Sequence, residues 1–251
     1  SASTGTIMRK ILELEQHDAE LFFGEPSFEV DELLRKDAQG QGMVSIMRLV
    51  DIQDKPKLFS TFMLQLLAEV YATFPEVGDL DKPKLTIFID EAHLIFDSAT
   101  QTLLNQIETT IKLIRSKGVG IFFITQNPSD VPNSILGQLG LKIQHALRAF
   151  TAKDRKDIKL TSENFPLSKF YVIDQVLTNM GIGEAFVTGL NDKGIPTPLA
   201  YTMLRAPESR MDVLTEDEIN YIAFNSKIIS KYNKTIDRES AYEILNDKIE
   251  Q

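Results

Sequence analysis

Two adjacent carboxylates, Asp90 and Glu91, stand at the end of the run Leu85-Thr86-Ile87-Phe88-Ile89. Every residue of that run is apolar or β-branched, which predicts a strand covered on both faces. Ligands of open α/β sheets collect at the carboxyl ends of such strands. An acid pair in that place has the form of a Walker B motif. Asp90 would hold Mg²⁺ through water, and Glu91 would orient and deprotonate a water attacking a γ-phosphate. A plainer reading is open beside it: Asp90 caps the next helix, and Glu91 is a solvated acid in its first turn. The next strand candidate, residues 120–126, ends in Thr125-Gln126-Asn127-Pro128. Gln126 there could hydrogen-bond the γ-phosphate and the attacking water, or it could cap a loop. Two polar strand ends joined by one long helix favour the nucleotide reading.

These side chains need a frame to hold them. Strand-like apolar runs alternate with helix-length amphipathic segments, which predicts an α/β fold with a largely parallel sheet. Strands are expected over residues 43–50, Leu85–Ile89, 120–126, 143–150, Glu184–Thr188 and 198–204. Phe59, Phe62, Met63, Leu66, Leu67, Val70 and Phe74 recur at helical spacing over 57–74, and Leu103, Ile107, Ile111 and Ile114 do so over 98–117. Gly118 closes the second helix. Shorter helices are expected over 134–139, 151–160 and 167–177. Thr215 and Glu218 have capping-box spacing, opening a helix over 216–232. Two charged helices within 1–34 and one over 238–249 complete the pattern. The implied organisation is a helical segment 1–42, a sheet-bearing core 43–206 and a helical tail 207–251.

Composition narrows the classes. The 251 residues hold no cysteine and no tryptophan, carry a formal charge of −9, and are 43% hydrophobic and 25% charged. Disulfide scaffolds, thiolate zinc sites and cysteine nucleophiles are excluded. No apolar run approaches the ~20 residues of a membrane span, and residues 1–10 lack signal-peptide order. The expectation is a soluble, cytoplasmic protein without membrane partners, and the acidic balance argues against a wholly basic nucleic-acid coat. The three histidines, His17, His93 and His145, form no zinc-spaced cluster with acids and read as single polar or partly buried side chains. The phenylalanines read as core. Lys153, Arg155, Lys156 and Lys159 on one candidate helix read as a solvated face.

Several stretches together resemble a known family. Asp90-Glu91-Ala92-His93, Ile114-Arg115-Ser116-Lys117-Gly118-Val119-Gly120 and Thr125-Gln126-Asn127-Pro128 are similar to the HerA/FtsK branch of RecA-like motor ATPases. Within it they are closest to a bacterial group described as HerA-like helicases. Phe22-Phe23-Gly24-Glu25-Pro26, residues 144–151 and residues 237–243 look like that group too, so the resemblance covers nearly the whole chain. It implies a RecA-like sheet that lacks its Walker A strand here, with Gly-x-x-x-x-Gly-Lys-Ser/Thr expected before the position of Ser1. No glycine of this chain is directly followed by lysine.

The resemblance also implies roles. Asp90 would be the Mg²⁺ ligand, Glu91 the general base and Gln126 the γ-phosphate sensor, with ATP and Mg²⁺ as cofactors of the longer protein. Arg115 matches an arginine that FtsK-like motors reach into the neighbouring subunit; without the family it reads as a cation at a helix C-terminus. Arg148 occupies a position where HerA-like proteins also carry arginine. It would contact nucleotide or a subunit boundary, or else form a structural salt bridge. The implied assembly is a homo-oligomeric ring, a hexamer in the longer protein, with DNA as translocated polymer by analogy. The alternative is a catalytically silent module for oligomerisation or for docking a nuclease-like partner.

Overall fold

The computed structural model describes residues 28–232 apart from 79 and 98, together with 4–6, 8, 9 and 12. The predicted N-terminal helices lie largely outside these residues; the helix over 238–249 and the stretches 22–26 and 237–243 lie wholly outside them. The first long element is helix α1, Pro56–Thr73, with proline at the first turn, where its missing N–H costs nothing. It buries Leu58, Phe59, Met63, Leu66, Leu67 and Val70, close to the stripe read from spacing.

Strand β1, Leu85–Ile89, leads through Asp90 and Glu91 into the single turn α2, His93–Phe96. Helix α3, Gln101–Ile114, follows, with Thr100 accepting the Leu103 N–H as its cap. A 3-10 turn, Arg115–Lys117, ends at Gly118 with φ 73°. That left-handed conformation suits glycine, and a Cβ there would meet Val77 Cγ2 at 2.9 Å. Strand β2, Val119–Phe123, pairs with β1 in parallel, Leu85 opposite Val119 through Ile89 opposite Phe123. Beyond β2 come α4, Asn133–Leu136, and β3, Lys142–Gln144. Helix α5, Ala152–Glu163, opens on a capping box between Thr151 and Asp154. Helix α6, Ile173–Asn179, β4, Glu184–Thr188, and β5, Ala200–Met203, complete this part.

The parallel pair is as predicted, but a largely parallel sheet is not what forms throughout. β3, β4 and β5 make a separate antiparallel sheet; β4 and β5 are joined by turns, β3 and β4 through α5 and α6. Ile158, Phe165, Leu177, Met180, Phe186 and Leu199 form the core that α5 and α6 share with it. The predicted strand over 143–150 is cut to Lys142–Gln144, since the Leu147 N–H goes to the Leu177 carbonyl instead of a ladder. Coverage of β1 and β2 on both faces also fails: Phe88 and Phe122 stack at 4.7 Å and remain 64% and 37% exposed. The predicted strand over 43–50 does not form: these residues join neither sheet, Val50 opens a 3-10 turn, and Val44 is 84% exposed; apolar residues make no strand without a partner edge.

The chain divides into two compact units, residues 76–211 and residues 1–75 with 212–251; the sequence reading draws its boundaries at 42/43 and 206/207. In the second unit the helix expected over 216–232 is interrupted, as α7, Glu216–Phe224, and α8, Ile229–Tyr232. Among the described residues no helix is long and apolar enough to cross a membrane. Lys231 Nζ lies 3.0 Å from Glu29 and 2.7 Å from Glu32, tying α8 to the 3-10 turn Val30–Leu34. The Lys231 hydrogen bond holds the Glu32 carboxyl below the usual range and raises the lysine.

A depressed carboxylate contributes stability above its unfolded pKa, near ~4.3 for glutamate, and loses it as pH falls through the folded value. Amide exchange over Ile229–Tyr232, corrected for intrinsic rates, should therefore accelerate between about pH 5 and pH 3. Lys231→Met should exchange fast across that range. A variant that keeps the wild-type profile would uncouple α8 from this pair.

Candidate active site

Parallel pairing sets the site. Because Ile89 lies opposite Phe123, the residues after both strands emerge at the same end of the pair. The ladder continues past the strand ends: the Ile124 N–H donates to the Ile89 carbonyl at 2.9 Å, and the Ala92 N–H to the Ile124 carbonyl at 2.9 Å. Gln126 and Glu91 then meet, with Gln126 Nε2 donating to Glu91 Oε1 at 3.3 Å. His93 Nδ1 stands 3.3 Å from Glu91 Oε2. That spacing is an ion-pair separation whose angles do not make it a hydrogen bond, and Oε2 is buried without a hydrogen-bond partner. Desolvating a carboxylate oxygen in this way costs about 1–3 kcal/mol, so the site holds Glu91 in an arrangement that stability alone would not select.

The backbone carries a cost as well. Glu91 has φ 47° and is the one non-glycine residue at positive φ among those described. The Asp90 side chain supports the turn, its Oδ1 accepting the Glu91 N–H at 3.0 Å. Ala92 is fully buried behind it. Strain of this kind, roughly 1–3 kcal/mol, persists where the surroundings over-determine the backbone, and it clusters at functional sites.

Around the pair, Thr125 Oγ1 donates to Asp130 Oδ2 at 3.4 Å. Burial pushes the Asp130 carboxyl up, countered by the charge of His93 and by the Thr125 hydroxyl. Asp90 is exposed, and its Oδ1 accepts the Glu91 N–H. No group of three or more His, Asp or Glu among them could cage a metal. One exposed carboxylate fits Mg²⁺, which binds through one or two carboxylates, waters and substrate phosphates. A nucleotide's phosphates are not met by these residues, since the chain has no glycine-rich loop ending in Gly-Lys.

The two arginines stand apart from this group. Arg115 is exposed at the end of α3, before β2 begins, whereas Gln126 follows the end of β2. At ~3.3 Å per residue the strand separates them by about 20 Å, beyond the reach of a side chain. Arg148 donates to the Thr178 carbonyl at 2.6 Å and the Met180 carbonyl at 2.9 Å. It closes the C-terminus of α6, where backbone carbonyls lack helical partners. Reading His93 as a single polar histidine misses its pairing with Glu91. The signal was its place two residues past Glu91, on a turn that the sequence alone does not orient. Asp130 gave no sequence signal, and Thr125 appeared only within the strand-end stretch, with no role of its own. Lys153, Arg155, Lys156 and Lys159 are exposed, as expected.

A family model described as helicase HerA-like, C-terminal, matches residues 1–251. A probable helicase of Methanocaldococcus jannaschii is 30% identical over 165 residues, covering 62% of this chain and 29% of that protein. The chain thus spans under a third of that relative. Among solved structures, the bacterial conjugative coupling protein TrwBdeltaN70 is 15% identical over 71% of this chain and 43% of its own, with a TM-score of 0.48. VirB4 of Thermoanaerobacter pseudethanolicus is 17% identical over 64% and 41%, at 0.46. The genome-packaging NTPase B204 of Sulfolobus turreted icosahedral virus 2, in complex with AMPPCP, is 14% identical over 71% and 73%, at 0.42.

The strained turn makes a prediction about stability. Glycine relieves a positive φ that alanine cannot. Glu91→Gly should therefore be more stable than Glu91→Ala by about 1 kcal/mol in urea unfolding. Equal midpoints and slopes for the two variants would mean that the turn relaxes without cost.

Proposed function

The chain belongs to the helicase HerA-like C-terminal family, and from that premise we propose that it supplies the water-activating half of an ATP-hydrolysing motor with a RecA-like sheet. One observation carries the reading: β1 and β2 are parallel neighbours whose polar ends bring Glu91 and Gln126 within 3.3 Å.

Asp90, exposed at the strand end, would hold Mg²⁺ through water. The ion, when bound, neutralises charge that develops between the terminal phosphates. Glu91 accepts a proton from the attacking water, and the Gln126 amide, already beside Oε1, orients that water. Such a step needs positioning and charge neutralisation more than covalent chemistry. Arg115 acts in trans: set about 20 Å along the strand from Gln126, it serves the site of a neighbouring subunit in a homo-oligomeric ring. Arg148 stays with α6 and supports the fold. DNA as the translocated polymer, and a nuclease-like partner, belong to this reading by family analogy.

The phosphate cradle, with its strand and lysine, has to come from sequence other than these 251 residues. A cavity of about 690 Å³ supports a seat for that strand, being lined by Gly120, Phe122 and Ile124 on one side and Lys142, Ile143 and Gln144 on the other. Neither β2 nor β3 has a second strand partner among the described residues. The same gap favours the alternative for this stretch alone, a catalytically silent assembly module, until that strand is present.

In the whole protein, Glu91→Gln should keep ATP binding and lose at least about 100-fold in hydrolysis, because an amide cannot accept the water's proton. Arg115→Ala should also lose hydrolysis, and mixing it with Glu91→Gln subunits should restore part of it. Wild-type turnover in Arg115→Ala would reduce that residue to a helix-end cation. The 251 residues alone should neither bind ATP at micromolar concentration in calorimetry nor release phosphate; steady turnover from them would falsify the need for an added cradle.

A further inference from the structure

A base that takes a proton from water must present one oxygen while the rest of its carboxylate stays fixed. In Glu91 the two oxygens differ. Oε1 shares its space with the Gln126 amide at 3.3 Å. Oε2 is buried and has no hydrogen-bond partner, and His93 Nδ1 at 3.3 Å is its one ion-pairing neighbour among the described residues. Glu91 sits on the turn at φ 47°, its carbonyl accepting the Leu94 N–H at 3.0 Å. His93 is anchored too. It opens α2 directly after Ala92, which is fully buried and whose N–H is bound to the Ile124 carbonyl.

Resting on the reading of Glu91 as base, we propose that His93 is a positioning residue whose Nδ1–H holds Oε2 and thereby turns Oε1 toward the reacting water beside Gln126. Two elements face the ring with acids: Glu91 from its own turn and Asp130 from the loop after β2, where Asp97 and Lys153 also act on Asp130. The acids beside the ring favour a ring that donates. Catalytic hydrogen bonds are often long before substrate arrives, so the present 3.3 Å separation is the open form of a contact that tightens in use.

Two measurements decide this. In the 251-residue chain, with only three histidines, ¹⁵N imidazole correlation spectra at pH 8 should show His93 as the Nδ1–H tautomer. Glu91→Gln should move that resonance and leave His145 in place, because the His145 Nδ1 lies against the Glu184 carbonyl instead. A His93 signal indifferent to Glu91→Gln overturns the contact. In the whole ATPase, His93→Ala should lower kcat about tenfold, with KM for ATP and Tm unchanged. His93→Asn, which keeps a donor at the Nδ1 position, should recover most of that loss. Wild-type kcat in His93→Ala, a parallel fall in Tm, or no recovery with asparagine overturns the positioning role. Normal turnover in Glu91→Gln instead removes the base itself, and the ring-nitrogen measurement still decides the contact.

Discussion

Everything at the site hangs on the parallel ladder between β1 and β2. Parallel strands present their carboxyl ends on one side, so two segments 35 residues apart in sequence deliver Glu91 and Gln126 to one place. An antiparallel pair would send them to opposite ends. The ladder starts at a single glycine: the Gly118 carbonyl accepts the Lys84 N–H at 2.7 Å, which ties the start of β1 to the start of β2. It finishes at Ala92 and Ile124, immediately below the reactive side chains. Register errors are therefore suppressed at both ends of a pair only five residues long.

Strain and burial converge on Glu91 for a related reason. A chain leaving a strand and entering a helix within three residues must turn sharply, and the left-handed conformation of Glu91 is that turn. Glycine would do it without strain. A glutamate there, with one oxygen buried and unsatisfied, spends stability on the placement of a carboxylate. The neighbouring fold tolerates this because Ile89, Ala92, Ile95 and Phe96 are all buried around the turn.

Sequence and structure diverge where an element needs a distant partner. Residues 43–50 are apolar enough for a strand, yet none forms there, since strand formation depends on an edge that composition cannot supply. The antiparallel β3–β4–β5 sheet escaped the α/β pattern for the same reason: β3 and β4 pair antiparallel across α5 and α6, and β4 returns to β5 through turns at Asn191 and Gly194, so the strand and helix pattern does not fix pairing direction. The family resemblance reads Arg148 as a nucleotide or interface contact, or as a structural salt bridge. Its two bonds to α6 carbonyls depend on where residues 178 and 180 arrive.

By itself the sequence determined the local matters: the helical stripe of α1, the limits of β1, the glycine stop at 118, the capping box at Thr215, and the acid pair with its polar counterpart at Gln126. Those follow from spacing and backbone preference, which act over a few residues. Tertiary structure alone decided that Glu91 and Gln126 touch, that His93 faces Oε2, that Arg115 lies at the far end of β2, and that Asp130 is half-buried near His93. Each depends on a ladder or a turn joining residues far apart along the chain, and no local propensity encodes the position of a partner strand.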